Sequence, residues 1–159
     1  MGAIIMLSTT SMLLRLKNSY PQFLFKEDTD FFWSSSDNTI FYDASSKDLP
    51  VLILHELSHA LLGHNKYDSD IQLISMERQA WEYTIKLAYS FNIKIPDEII
   101  QSNLDSYRSW LYCRSTCPKC QSIGLQVKAK TYHCLACNHS WQVNEARKCN
   151  LRRYNQKNN

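Results

Sequence analysis

The sequence predicts an α+β chain: a helical core with a small antiparallel sheet over residues 1–111, then a small cysteine-rich module over residues 112–159. Three observations carry this. Short strand-like runs precede long helical periodicities in the first part. Two CxxC pairs, Cys117/Cys120 and Cys134/Cys137, follow with thirteen residues between them. The charge changes sign at the same place: residues 1–111 hold nine Lys/Arg against fourteen Asp/Glu, residues 112–159 nine Lys/Arg against the single acid Glu145.

At 159 residues the chain can bury one sizeable core and carry a satellite module. With 44% hydrophobic and 21% charged residues it has an ordinary globular composition, not a low-complexity one. The apolar start, residues 1–7, lacks a basic flank and is too short to span a bilayer. An amphipathic helix over residues 8–18 is expected instead. No membrane partner is expected, and CxxC pairs without a signal sequence favour metal binding in the reducing cytoplasm over disulfides.

Residues 22–26, 31–34 and 39–42 read as strands. The turn residues Ser35-Ser36-Asp37-Asn38 join the last two as a hairpin. If strand 39–42 lies at a sheet edge it can take an extended substrate by strand addition; otherwise it is an ordinary hairpin strand. Asp48 suits an N-cap and Pro50 an early helical position, so a helix is expected over residues 49–62, ended by Gly63. Further helices are expected over 68–91 and 97–111, divided at Ile95-Pro96-Asp97.

The helix of residues 49–62 carries His55-Glu56-Leu57-Ser58-His59, an HExxH run. Histidines four apart lie on one helix face and can share a metal ion, and the adjacent glutamate can serve a water there as its base. The extended HExxHxxGxxH pattern is absent, because Leu62 and Asn65 stand where glycine and histidine would. His64, half a rotation from His55, reads as a surface or capping residue, although it could approach the site if the helix ends at Gly63. The next helix offers Glu77 and Glu82. Glu77 falls on a stripe with Ile74, Trp81, Ile85 and Ala88, where a carboxylate needs a partner such as a metal. Glu82 sits four residues from both Arg78 and Lys86, the pattern of a solvated salt-bridge face. Periodicity therefore selects Glu77.

The run HELSHALLGH, followed by Glu77-Arg78-Gln79-Ala80-Trp81, resembles the ImmA/IrrE metallopeptidases over residues 8–111. The resemblance implies a gluzincin-like site: a catalytic zinc on His55, His59 and Glu77, with Glu56 as base. It implies a small sheet packed beside the helices. It also implies a zinc endopeptidase whose protein substrate is a DNA-binding repressor of a phage or mobile element. An alternative is a non-cleaving antirepressor or zinc-ribbon regulator. Tyr83, His64 and His133 are the candidates for an oxyanion donor.

The CxxC–x13–CxxC spacing points to a second, structural zinc held by Cys117, Cys120, Cys134 and Cys137, and it resembles a zinc ribbon. Strands are expected over 124–128, 131–133 and 140–143. Cys113 and Cys149 fall outside this frame and read as free thiols, although either could replace a ligand. Lys128, Lys130, Arg147, Lys148, Arg152 and Arg153, with Tyr132, Trp141 and Tyr154, offer contact to nucleic acid, unless the aromatics pack the ribbon itself.

Overall fold

The computed structural model describes residues 9–144 and, as backbone, residues 153–155. The side chains of Arg147, Lys148, Cys149, Arg152, Arg153 and Tyr154 lie outside the described residues, as does Ser8 at the expected start of the first helix. The mixed α+β class is as expected. The elements run α1 (Thr9–Ser19), β1 (Leu24–Glu27), β2 (Phe32–Ser34), β3 (Thr39–Tyr42), α2 (Leu49–Leu61), α3 (Asp70–Ser90), α4 (Asp97–Ser115), β4 (Leu125–Lys128), β5 (Thr131–His133), β6 (Ser140–Val143) and β7 (Arg153–Asn155). No helix among the described residues is long and apolar enough to cross a membrane.

Two compact units divide the chain, one of Met1–Asn65 with Met76–Pro96 and the other of Lys66–Ser75 with Asp97–Asn159. In the first, the sheet has the order β1-β3-β2. The expectation of an antiparallel sheet is corrected here: β3 pairs antiparallel with β2 but parallel with β1. The hairpin turn holds β2 against β3, and β1 takes the other edge of β3. With neighbours on both sides, β3 has no free edge, so strand addition there is excluded. It is an ordinary central strand, with Ile40 fully buried.

The core of this unit forms where α1 (Met12, Leu16), β3 (Ile40, Tyr42), α2 (Ile53, Leu54, Leu57) and the end of α3 (Leu87, Ala88, Phe91) meet. α2 is buried nearly all round, as its composition demands. Asp48 does stand at its N-cap, but through its backbone. Its carbonyl accepts from the N–H groups of Val51 and Leu52, both at 3.0 Å, and its side chain makes no capping bond. Gly63 ends the helix as expected. At φ +67° it adopts the left-handed conformation, with Gly63 N–H donating to Ala60 carbonyl (3.1 Å) and His64 N–H to His59 carbonyl (2.9 Å). These two bonds define a Schellman cap.

In the second unit, β4-β5-β6-β7 form one sheet. β7 had no expected counterpart. α4 continues to Ser115, past the expected end at residue 111, because Arg114 in its last turn is buried against Asp70. The Arg114 Nε donates to Asp70 Oδ2 at 2.6 Å, and the Tyr132 hydroxyl donates to the same oxygen at 2.5 Å. Arg114 Nη1 also donates to the Asn144 carbonyl, and its guanidinium lies 4.4 Å from the centre of the Trp110 ring. Gly124 is required by packing: a Cβ there would stand 2.4 Å from the Trp141 ring and 2.8 Å from the His133 carbonyl oxygen.

Candidate metal centres

His55 and His59, one helical turn apart on α2, face Glu77 of α3. Glu77 Oε2 lies 3.2 Å from His55 Nε2 and 3.5 Å from His59 Nε2, and the two Nε2 atoms are 3.2 Å apart. Tetrahedral zinc with bonds of about 2.0–2.1 Å requires ligand–ligand edges of roughly 3.3–3.4 Å. The triangle of donors therefore has the size such an ion needs. All three side chains are buried, Glu77 being only 5% exposed. Burial by itself would raise the Glu77 carboxyl. Hydrogen bonds from His55 and His59, with their charge, outweigh burial and hold it down to about 2.

Neighbouring residues hold this arrangement in place. The His55 ring stacks on Trp81, centroids 4.2 Å apart. Ser58 donates to the Leu54 carbonyl at 2.7 Å and meets the Thr84 hydroxyl at 2.9 Å, tying α2 to α3 through polar atoms inside the core. Glu56, partly buried beside the ligands, is raised above the ordinary carboxylate range by burial; His55, His59 and a hydrogen bond from the Trp33 backbone N–H pull it back down.

Glu82 is exposed and paired with Arg78 at 2.5 Å, as the spacing predicted. The stripe that selected Glu77 needs one correction. Ile85 points outward, 53% exposed, and Thr84 takes the buried position instead. Of the three oxyanion candidates, His64 is the one brought to the group, its Nδ1 lying 3.0 Å from His59 Nδ1. Burial and the nearby His59 lower its pKa. Tyr83 packs against the core of its unit, and His133 Nδ1 pairs with the Ser140 hydroxyl at 2.9 Å.

The second group is built by two loops with one hydrogen-bond pattern. Gln121 N–H donates to Cys117 carbonyl (3.0 Å) and Asn138 N–H to Cys134 carbonyl (2.9 Å), while Cys117 and Cys134 N–H donate to Ser122 and His139 carbonyls, each at 2.8 Å. Gln121 and Asn138 both take positive φ, 63° and 57°, which turns each loop back on itself. The sulfurs of Cys117 and Cys137 are 3.7 Å apart, those of Cys120 and Cys134 3.5 Å. Zinc–sulfur bonds of about 2.3 Å in a tetrahedron place sulfurs roughly 3.8 Å apart, whereas a disulfide needs about 2.05 Å. All four are free thiols, as is the exposed Cys113.

Ser122 hydrogen bonds, with those of the neighbouring thiols, hold Cys120 down to about 6. Cys137 is pushed up to about 12: the His139 backbone N–H lowers it, but burial and the three other sulfurs prevail. Four thiolates so close repel one another, and a divalent cation removes that repulsion. Both groups are thus candidate metal sites compatible with zinc. Two of the rings considered for base stacking are unavailable. Tyr132 and Trp141 are buried, 1% and 0% exposed, and stack on each other inside the core of the cysteine-bearing unit.

Comparison with protein-family models, curated proteins and solved structures finds no match to this chain.

Proposed function

We propose that the chain is a zinc-dependent endopeptidase of the ImmA/IrrE type that cleaves a protein substrate, a transcriptional repressor of a phage or mobile element. The observation that carries this reading is the buried convergence of His55, His59 and Glu77 with Glu56 beside them. Three protein ligands are the usual complement of a catalytic zinc, leaving a fourth position open. Such an ion, when bound, polarises a carbonyl and acidifies water enough for attack near neutral pH.

The chain's own residues then have separate tasks. His55, His59 and Glu77 bind the ion. Glu56 takes a proton from the attacking water as its oxygen bonds to the peptide carbonyl carbon. As the carbon–nitrogen bond breaks, Glu56 delivers that proton to the leaving amine. Its partly buried carboxylate suits this exchange, because burial disfavours its charged form. The four cysteines support a structural zinc whose binding energy folds a ribbon too small to build much core.

A second reading concerns the ribbon. Lys128 and Lys130 are exposed on it and support contact with a nucleic-acid backbone, without stacking by Tyr132 and Trp141. Filter binding across a salt series tests this, since such a complex weakens as salt rises.

The test of the main reading is Glu56→Gln, which keeps fold and metal and loses cleavage. Protein N-termini are compared in cells expressing the native chain and the variant. New termini that depend on Glu56 are expected. Identical termini, with the biological effect of the chain retained by the variant, would favour the non-cleaving antirepressor.

A further inference from the structure

We propose that His64 is a positioning residue for the His55/His59/Glu77 metal group. With an ion in that group, its Nδ1 accepts a hydrogen bond from the Nδ1–H of His59 and so holds the His59 ring with Nε2 towards the ion. The proposal rests on the metal-binding reading of that group, though not on cleavage.

The Schellman cap explains how the contact arises. Left-handed Gly63 turns the chain back, and the His64 N–H closes onto the His59 carbonyl, bringing the two side chains to the same end of α2. Trp33 anchors the returning chain, its indole Nε1 donating to the His64 carbonyl at 2.9 Å.

When His59 Nε2 is given to an ion instead of Glu77, a neutral His59 keeps its proton on Nδ1, and the hydrogen-bond chemistry has one consistent direction. The Nδ1 atoms of His59 and His64 are 3.0 Å apart and share one proton. If His64 held it, a neutral His59 would carry its own proton on Nε2. That atom faces His55 Nε2 at 3.2 Å and Glu77 at 3.5 Å, so a proton there would block metal binding. The far side of His64 fits the same direction. Its Nε2 is 3.3 Å from the Gln79 Oε1, and an amide oxygen only accepts. A neutral His64 with a bare Nδ1 towards His59 has its proton on Nε2, where that oxygen can accept it. The chain runs from Gln79 through His64 to His59. His55 is held differently: its Nδ1 is buried without a hydrogen-bond partner, and its ring is set by stacking on Trp81.

The test is a zinc titration of the full chain against a competing chelator, with the four-cysteine site as internal reference. Outer partners of ligating histidines typically change metal affinity by about 10–100-fold. His64→Ala is expected to weaken the three-ligand site by that order and leave the cysteine site unchanged. His64→Asn, whose Oδ1 can accept where Nδ1 did, is expected to recover most of the loss. Long-range proton–nitrogen NMR of the zinc-loaded native chain should place the protons on Nδ1 of His59 and Nε2 of His64. Unchanged affinity in His64→Ala, no recovery in His64→Asn, or a His64 proton on Nδ1 would overturn the proposal while leaving the metal site intact. A native chain that binds zinc at the cysteines alone would overturn both.

Discussion

Glu77 and Glu82 occupy the same helix and meet opposite fates: one is buried against two histidines, the other lies in solvent beside Arg78. Their spacing against apolar neighbours was enough to separate them, because a helix presents fixed faces. Glu77→Ala is expected to abolish metal binding at the three-ligand group. Glu82→Ala should leave it unchanged and shift stability by less than about 1 kcal/mol, as for other exposed pairs. Isothermal titration and chemical denaturation of the two variants check this. Thr84 was not legible from composition, since a polar residue hides its burial when its hydroxyl is satisfied by Ser58 and the Ala80 carbonyl. For His64 the sequence left two placements, a surface or capping position and an approach to the site if the helix ended at Gly63; the left-handed turn at Gly63 gives the second. Gly63→Ala meets no steric contact within 4 Å. Its cost is therefore conformational, about 1–2 kcal/mol for a left-handed residue with a Cβ, measurable as a lowered denaturation midpoint.

At the scale of elements, β3, β5 and β6 fell where local patterning placed them, and α2 differed by one residue at its end. The pairing of strands was less legible. Alternation marks a strand, but nothing local says that β1 joins β3 in parallel, so the sheet turned out mixed. The end of α4 was missed for a related reason. Its last turn is held by partners far away in sequence, Asp70 and the Trp141 indole, which donates to the Arg114 carbonyl at 2.9 Å. Asp70→Ala strands a buried guanidinium and should cost about 3–5 kcal/mol in denaturant unfolding of this unit. Burial, and then the Asp70 carboxylate, raise the Tyr132 hydroxyl well above its ordinary value. The unfolded chain loses that proton near pH 10, while the folded chain retains it to higher pH. This contribution is complete below about pH 10 and is lost as pH rises towards the native pKa. Tyr132→Phe should therefore flatten the alkaline decline in stability, as read from unfolding curves taken at increasing pH.

The whole molecule carries two donor groups of different chemistry. Three buried nitrogen and oxygen donors lie next to a carboxylate suited to moving protons; four sulfurs close a site with no position left over. Both were legible because metal ligation demands residue types at fixed spacings. What the chain acts on was not, because a partner or substrate leaves no comparable spacing in the chain that binds it. The central claim is that these groups hold two ions with separate roles, and metal analysis of the purified chain tests it most directly. Two zinc ions per chain are expected, falling to one in Glu77→Ala with the cysteine-bound ion retained. One ion per native chain, held by the cysteines alone, would contradict it.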